Sequence, residues 1–112
     1  MCGIAGVLDL AGRRPLAPGI VRAMARTLIR ERLVACANLV PIRSLYTWEG
    51  ELHEEDEVAM LLKTRDELER EVRDRIAELH RYEVPCIACY SPRSVNDAFE
   101  AWVRAGTGHE PA

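Results

Sequence analysis

The run Val58-Ala59-Met60-Leu61-Leu62 is apolar without a break, so a strand built from it is hydrophobic on both faces. Such a strand belongs in the middle of a sheet and needs cover on both sides. A chain of 112 residues holds one compact domain. Its pattern offers two long amphipathic helices and one short terminal one, and two helices cover a single face of a four-stranded sheet. The other face is therefore expected to meet a second subunit.

The remaining elements follow from local pattern. Gly3 to Leu10 (GIAGVLDL) reads as a short buried strand that ends in the turn Ala11-Gly12-Arg13-Arg14-Pro15. Pro18 opens a helix in which Ile20, Met24 and Leu28 recur at helical spacing beside Val21, Ala25 and Ile29, and the helix is predicted to run to about Leu33. Cys36 to Trp48 is rich in β-branched and aromatic residues and reads as a strand, which Pro41 must either interrupt with a bulge or confine to an edge. Gly50 supplies the turn, and the return strand centres on Val58 to Leu62. Thr64 and Glu67 have the spacing of a capping box ahead of a helix whose core stripe is Leu68, Val72, Ile76 and Leu79. Its solvent face pairs Glu69 with Arg73 and Glu71 with Arg75.

Val84 to Tyr90 reads as the last strand, and Asn96 to Arg104 as a short helix that lays Phe99, Trp102 and Val103 against the body. Residues 1–105 form the single domain, and Gly106 to Ala112 are expected to be a loose tail. The order is strand, helix, strand, strand, helix, strand, helix. The first six elements are the split βαβ arrangement of an α+β, ferredoxin-like fold.

Composition narrows the function. A net charge of −3 and few aromatic residues argue against a nucleic-acid binder, which needs a basic stripe or a stacking platform. No apolar run reaches the length of a membrane span, and the start Met1-Cys2-Gly3-Ile4 lacks the charged opening of a signal peptide, so the expected compartment is cytoplasmic. Cys2, Cys36, Cys86 and Cys89 are then expected as reduced thiols. Cys86 and Cys89 form a C-x-x-C, but on a strand residues three apart face opposite ways, which makes a shared metal or a redox pair difficult.

From about Thr27 onward the chain resembles the CutA divalent-cation-tolerance family. The likeness lies in Glu31-Arg32-Leu33-Val34-Ala35-Cys36-Ala37-Asn38, in Ser44 to Leu52 around the hairpin, in Leu62-Lys63-Thr64, in His80 with Tyr82-Glu83-Val84-Pro85, and in Ala101-Trp102-Val103. The resemblance implies a homotrimer built by extended strands that cross between subunits, and an architecture akin to PII signalling proteins. It also implies a tie to divalent cations, copper above all, and no defined catalytic reaction. The start differs. Met1 to Asp9, Gly12-Arg13-Arg14-Pro15 and Val21-Arg22-Ala23-Met24 resemble the opening of glutamine-hydrolysing asparagine synthetases, and the two likenesses join near Leu28 inside one helix.

The candidate residues follow from both lines. His80 matches the family histidine linked to copper, and it stands beside Tyr82 and Glu83; imidazole suits copper. In some family members a cysteine late in the first strand and a second histidine complete the set. Here Val7 to Leu10 contains no cysteine and Leu79 precedes His80, so weak binding of copper or another divalent cation is expected. His53, at the head of the acidic run Glu54-Glu55-Asp56-Glu57, is the other metal candidate, although such a run also reads as a solvated loop. The metal candidates are thus His80, Glu83 and His53. Tyr46, Trp48 and Trp102 are expected at subunit interfaces. Cys2 would become an N-terminal nucleophile if Met1 were removed, but the glutamine pocket of a synthetase belongs to a much larger domain, so no enzymatic activity is expected. The alternative function is a PII-like signalling or scaffold module that holds a partner or small ligand between subunits.

Overall fold

The computed structural model of the chain describes residues 2–9, 18–80 and 85–108. Four strands, β1 (Cys2–Asp9), β2 (Cys36–Trp48), β3 (Glu51–Arg65) and β4 (Pro85–Tyr90), form one antiparallel sheet in the order β2-β3-β1-β4. Helices α1 (Pro18–Arg30) and α2 (Glu69–Leu79) follow β1 and β3, and α3 (Asp97–Gly106) closes the chain. This is the expected α+β, ferredoxin-like arrangement, with Met60, Leu61 and Leu62 of the apolar run paired on both sides.

One face of the sheet is sealed by α1 and α2. Met60 and Leu62 are buried there with Val21, Met24, Leu28, Val72 and Ile76, and Ala37, Leu39, Val58 and Ile87 pack around them. The stripe Leu68, Val72, Ile76 and Leu79 faces this core as its spacing requires. The residues between them on β2, β3 and β4 look the other way, away from α1 and α2. Val40, Leu61 and Tyr90 are exposed on that face, beside half-buried Ala59, Cys86 and Ala88.

Pro41 sits on the edge strand β2, and the β2–β3 register runs from Cys36↔Lys63 to Trp48↔Glu51 without a bulge. The hairpin closes in two residues. Glu49 and Gly50 both have positive φ, 50° and 79°, the requirement of a type I′ turn whose twist matches the strands. The β1–β3 register ends at Val7↔Met60, so among the described residues 51–59 of β3 pair with β2 alone. The hairpin thus leaves the sheet as a two-stranded ribbon roughly 30 Å long at about 3.3 Å per residue, and the subunit measures 46 × 26 × 21 Å.

Two local expectations are corrected. Thr64 is no helix cap: it is buried in β3 and its hydroxyl donates to Leu33 O at 2.6 Å, while a 3-10 turn, Asp66–Leu68, leads into α2. Arg75 pairs with Glu31, at 2.8 Å, and with Glu78, so it ties α2 to the end of α1. Helix α1 stops at Arg30, short of Leu33. Leu33 N donates to Leu28 O and Arg32 N to Ile29 O, the two bonds of a Schellman motif, with Arg32 at φ 60° where glycine is the usual occupant.

The segment expected as a loose tail is held as far as Gly108. Arg32 Nε donates to Gly108 O and its Nη2 to Ala105 O, both at 2.9 Å, and Gly108 N donates back to Arg32 O. Arg65 donates to Thr107 Oγ1, Thr107 O and Arg104 O, and Thr107 is buried. Gly106 approaches the residue that precedes β2 so closely that a Cβ there would stand 3.1 Å from Ala35 Cβ. Residues 109–112 lie outside the described residues.

Candidate functional site

The ribbon has two faces set by the register. On one, the cross-strand pairs are Trp48 with Glu51, Tyr46 with His53, Ser44 with Glu55 and Ile42 with Glu57. The acidic run is therefore part of a strand and not a loop, because pairing with β2 satisfies its backbone even where the sheet has ended. On the other face Arg43 bridges Glu54 at 2.6 Å and Asp56 at 2.8 Å.

Tyr46, His53 and Glu55 make a compact group. The Tyr46 and His53 rings stack with centroids 5.5 Å apart, Tyr46 Oη donates to Glu55 Oε2 at 3.0 Å, and His53 Nδ1 stands 3.9 Å from Glu55 Oε1. Two donors each about 2.1 Å from one cation stand about 3.0–3.4 Å apart at square or tetrahedral angles. A small rotation of either side chain would thus let His53 and Glu55 share a metal. They supply two ligands. Among the described residues no group of three His, Cys, Asp or Glu side chains converges on a common point.

His80 is placed differently. It follows the last turn of α2, where its N–H donates to Ile76 O at 2.7 Å, and its side chain is buried with Nε2 out of reach of solvent. Glu83 lies outside the described residues. Because β4 enters the sheet at Pro85 opposite Asp9, α2 ends on the side of the sheet from which the ribbon departs. His53 is a further four residues out along the ribbon from Glu57, about 13 Å of strand, so the fold does not bring His53 and His80 together within one chain.

The aromatic candidates separate too. Trp48 lies at the ribbon tip, and its indole Nε1 is screened from solvent with no acceptor among the described residues. Trp102 is half exposed on α3, stacked on Phe99 at 5.7 Å, at the opposite end of β3. Cys86 and Cys89 occupy opposite faces of β4, and partial burial, then the nearby Glu69 carboxylate, pushes the Cys89 thiol up and keeps it protonated. The stacked Tyr46–His53 pair was the feature sequence reasoning missed; the cross-strand spacing about the Glu49-Gly50 turn carried the signal.

A four-stranded sheet backed by two helices, with an open face and a projecting hairpin, defines a ferredoxin-like α+β protein of the PII-like kind. Residues 19–106 match the family model of the CutA1 divalent ion tolerance protein, and the chain belongs to that family. The divalent-cation tolerance protein CutA of Pyrococcus horikoshii is 45% identical over 80 residues, 71% of this chain and 78% of that protein. Among solved structures, the periplasmic divalent cation tolerance protein CutA of Archaeoglobus fulgidus superposes with a TM-score of 0.85 at 29% identity, covering 95% of this chain and 98% of the other. A PII-like protein CutA from a Nostoc species gives 0.83 at 30% identity, with 95% and 97% covered. The family match in sequence begins at residue 19, whereas the structural likeness takes in nearly the whole chain.

Proposed function

We propose that this protein serves divalent-cation tolerance as a non-catalytic homotrimer that binds copper, or another divalent cation, weakly. The observation that carries the reading is the ribbon: nine residues of β3 reach past the sheet with their β2 partners, and together they present Trp48 and Tyr46 of β2 with His53 and Glu55 of β3 on one face. A ribbon with no second layer of its own is suited to lie against the open sheet face of a neighbour, where Val40, Leu61 and Tyr90 await cover. The Trp48 indole N–H would then meet an acceptor from that neighbour.

The described residues fit a metal only in part. His53 and Glu55 offer one nitrogen and one oxygen, a set suited to copper(II), and a neighbouring subunit must complete the coordination. His80 with Glu83 is the second location, and His80 needs a local opening to be reached. Trp102 is assigned to a contact of its own at the far end of the subunit. We read the opening segment, 1–28, as an asparagine-synthetase-like start in place of the family's own; the pairing of Cys2–Asp9 with β3 and β4 supports its role as the first strand and no more. Among the described residues no helix is long and apolar enough to cross a membrane. The cytoplasm is the compartment we assign, and cell fractionation with a periplasmic marker tests it.

Copper titration by calorimetry, with chelator-washed protein, tests the metal reading. Loss of binding in His53→Ala with retention in His80→Ala supports the ribbon location, and the reverse moves the site to the end of α2. Binding unchanged in both variants refutes both.

A further inference from the structure

Arginines elsewhere on the molecule are mostly engaged: Arg43 with Glu54 and Asp56, Arg75 with Glu31 and Glu78, Arg104 with Glu67, Arg73 with Glu69, and Arg32 and Arg65 with carbonyls around the end of α3. Arg70 and Arg93 are exposed without a carboxylate partner among the described residues, each standing alone, whereas helix α1 carries such arginines in a row. Arg22, Arg26 and Arg30 stand four residues apart, all exposed, and no carboxylate or carbonyl of the described residues pairs with them. Between Gly19 and Arg30 there is no acidic residue at all.

At 3.6 residues per turn the three fall within about 40° of one line, at intervals of about 6 Å over about 12 Å. Like charges at this spacing repel along the helix, a tension the mixed charges of α2 avoid. Opposite them, Val21, Met24, Ala25 and Leu28 are buried in the core, so the row is fixed outward. One large apolar side chain, Ile29, borders it and remains 42% exposed, with Ala23 on the other flank.

We propose that the outer face of α1 is a docking surface for an acidic helical segment of a partner protein, with carboxylates four residues apart facing Arg22, Arg26 and Arg30. The row is linear, which suits a rod of charge better than the two-dimensional array of a lipid surface. Ile29 gives it an aliphatic border, which suits a protein helix with an apolar flank; α1 carries no aromatic, Asn or Gln to stack on or read a nucleic acid base. Guanidinium groups bind carboxylates in a bidentate fork, so three pairs in register would favour one alignment of the partner. The helix layer is on the opposite side of the sheet from the open face, so the surface stays available when copies associate through that face.

The probe is a synthetic 18-residue helical peptide with glutamates at four-residue intervals, together with a scramble of the same composition, measured by fluorescence anisotropy against the full chain at low and at moderate salt. The expected result is binding at least tenfold tighter to the ordered peptide than to the scramble, weakening as salt rises. The triple variant Arg22→Gln, Arg26→Gln, Arg30→Gln should lose tenfold or more with its thermal melt unchanged. Arg26→Glu alone provides a milder second variant and should also weaken binding. Equal binding by the scramble, or full binding by both variants, overturns the proposal. Tighter binding to an 18-nucleotide single strand or to phosphatidylserine vesicles than to the ordered peptide overturns it as well.

Discussion

Replacing Arg65 by Met should release α3 from the body while leaving the core intact. The guanidinium donates to Thr107 Oγ1 at 3.0 Å, to Thr107 O at 2.8 Å and to Arg104 O, and it stands 3.9 Å from Glu67. Hydrogen bonds from a charged donor contribute about 1.5–3 kcal/mol each when buried, and a cation at a helix C-terminus adds about 0.3–1 kcal/mol. The Arg65 side chain is 25% exposed, and Met keeps most of its apolar stem, so the three bonds together are discounted to about 2–4 kcal/mol. If the loss is confined to α3, that corresponds to about 30- to 700-fold faster amide exchange through local opening. Hydrogen exchange read by mass spectrometry on the peptide spanning 97–108 measures it directly. Arg65→Lys keeps the charge but not the fork, and should recover only part of the protection. Exchange in Arg65→Met within threefold of the parent, or acceleration equally large across β2 and α2, would refute the reasoning.

Glu31 is held below the usual carboxylate range by its hydrogen bonds and charge pairing with Arg75. A depressed carboxylate stabilises the fold above its unfolded pKa, and that contribution is lost as pH falls through the folded value. The urea midpoint of Glu31→Gln should therefore trail the parent at neutral pH and converge with it as pH falls through the lowered Glu31 value; a gap unchanged on acidification counts against the pairing. Cys2 has no glutamine pocket around it on sequence grounds, so purified protein should release no ammonia from glutamine. Release abolished in Cys2→Ala would reverse that expectation.

The sequence carried the sheet centre and the helix–core contacts because burial there follows simple periods. Val58 to Leu62 had to be central, Pro41 had to mark a bulge or an edge, and Leu68, Val72, Ile76 and Leu79 had to face one way. The features that escaped are set by partners distant in the chain. Helix α1 stops at Arg30 because Arg32 takes a left-handed conformation in a Schellman motif, while its side chain reaches Ala105 and Gly108. No local signal marks an arginine for that position. Thr64 looked like a cap because its spacing to Glu67 is right, yet it is consumed by Leu33 O across the sheet edge. The acidic run from Glu54 to Glu57 resembled a solvated loop since a ribbon without a second layer shows little hydrophobic alternation. In the candidate site, residue types were legible and placement was not: His53 rides on the ribbon and His80 is buried after α2, a separation fixed by how far β3 outruns β1.

Association remains the claim on which the rest depends, since the open sheet face, the unpartnered Trp48 indole and the two-ligand metal pair all call for a neighbouring copy. Sedimentation equilibrium at micromolar concentration tests it, with Trp48→Ala as the companion sample. The account predicts a species of about 38 kDa, three times the 12.6 kDa chain, which Trp48→Ala weakens by roughly 2 kcal/mol or more. A single species at 12.6 kDa in the parent protein would contradict it.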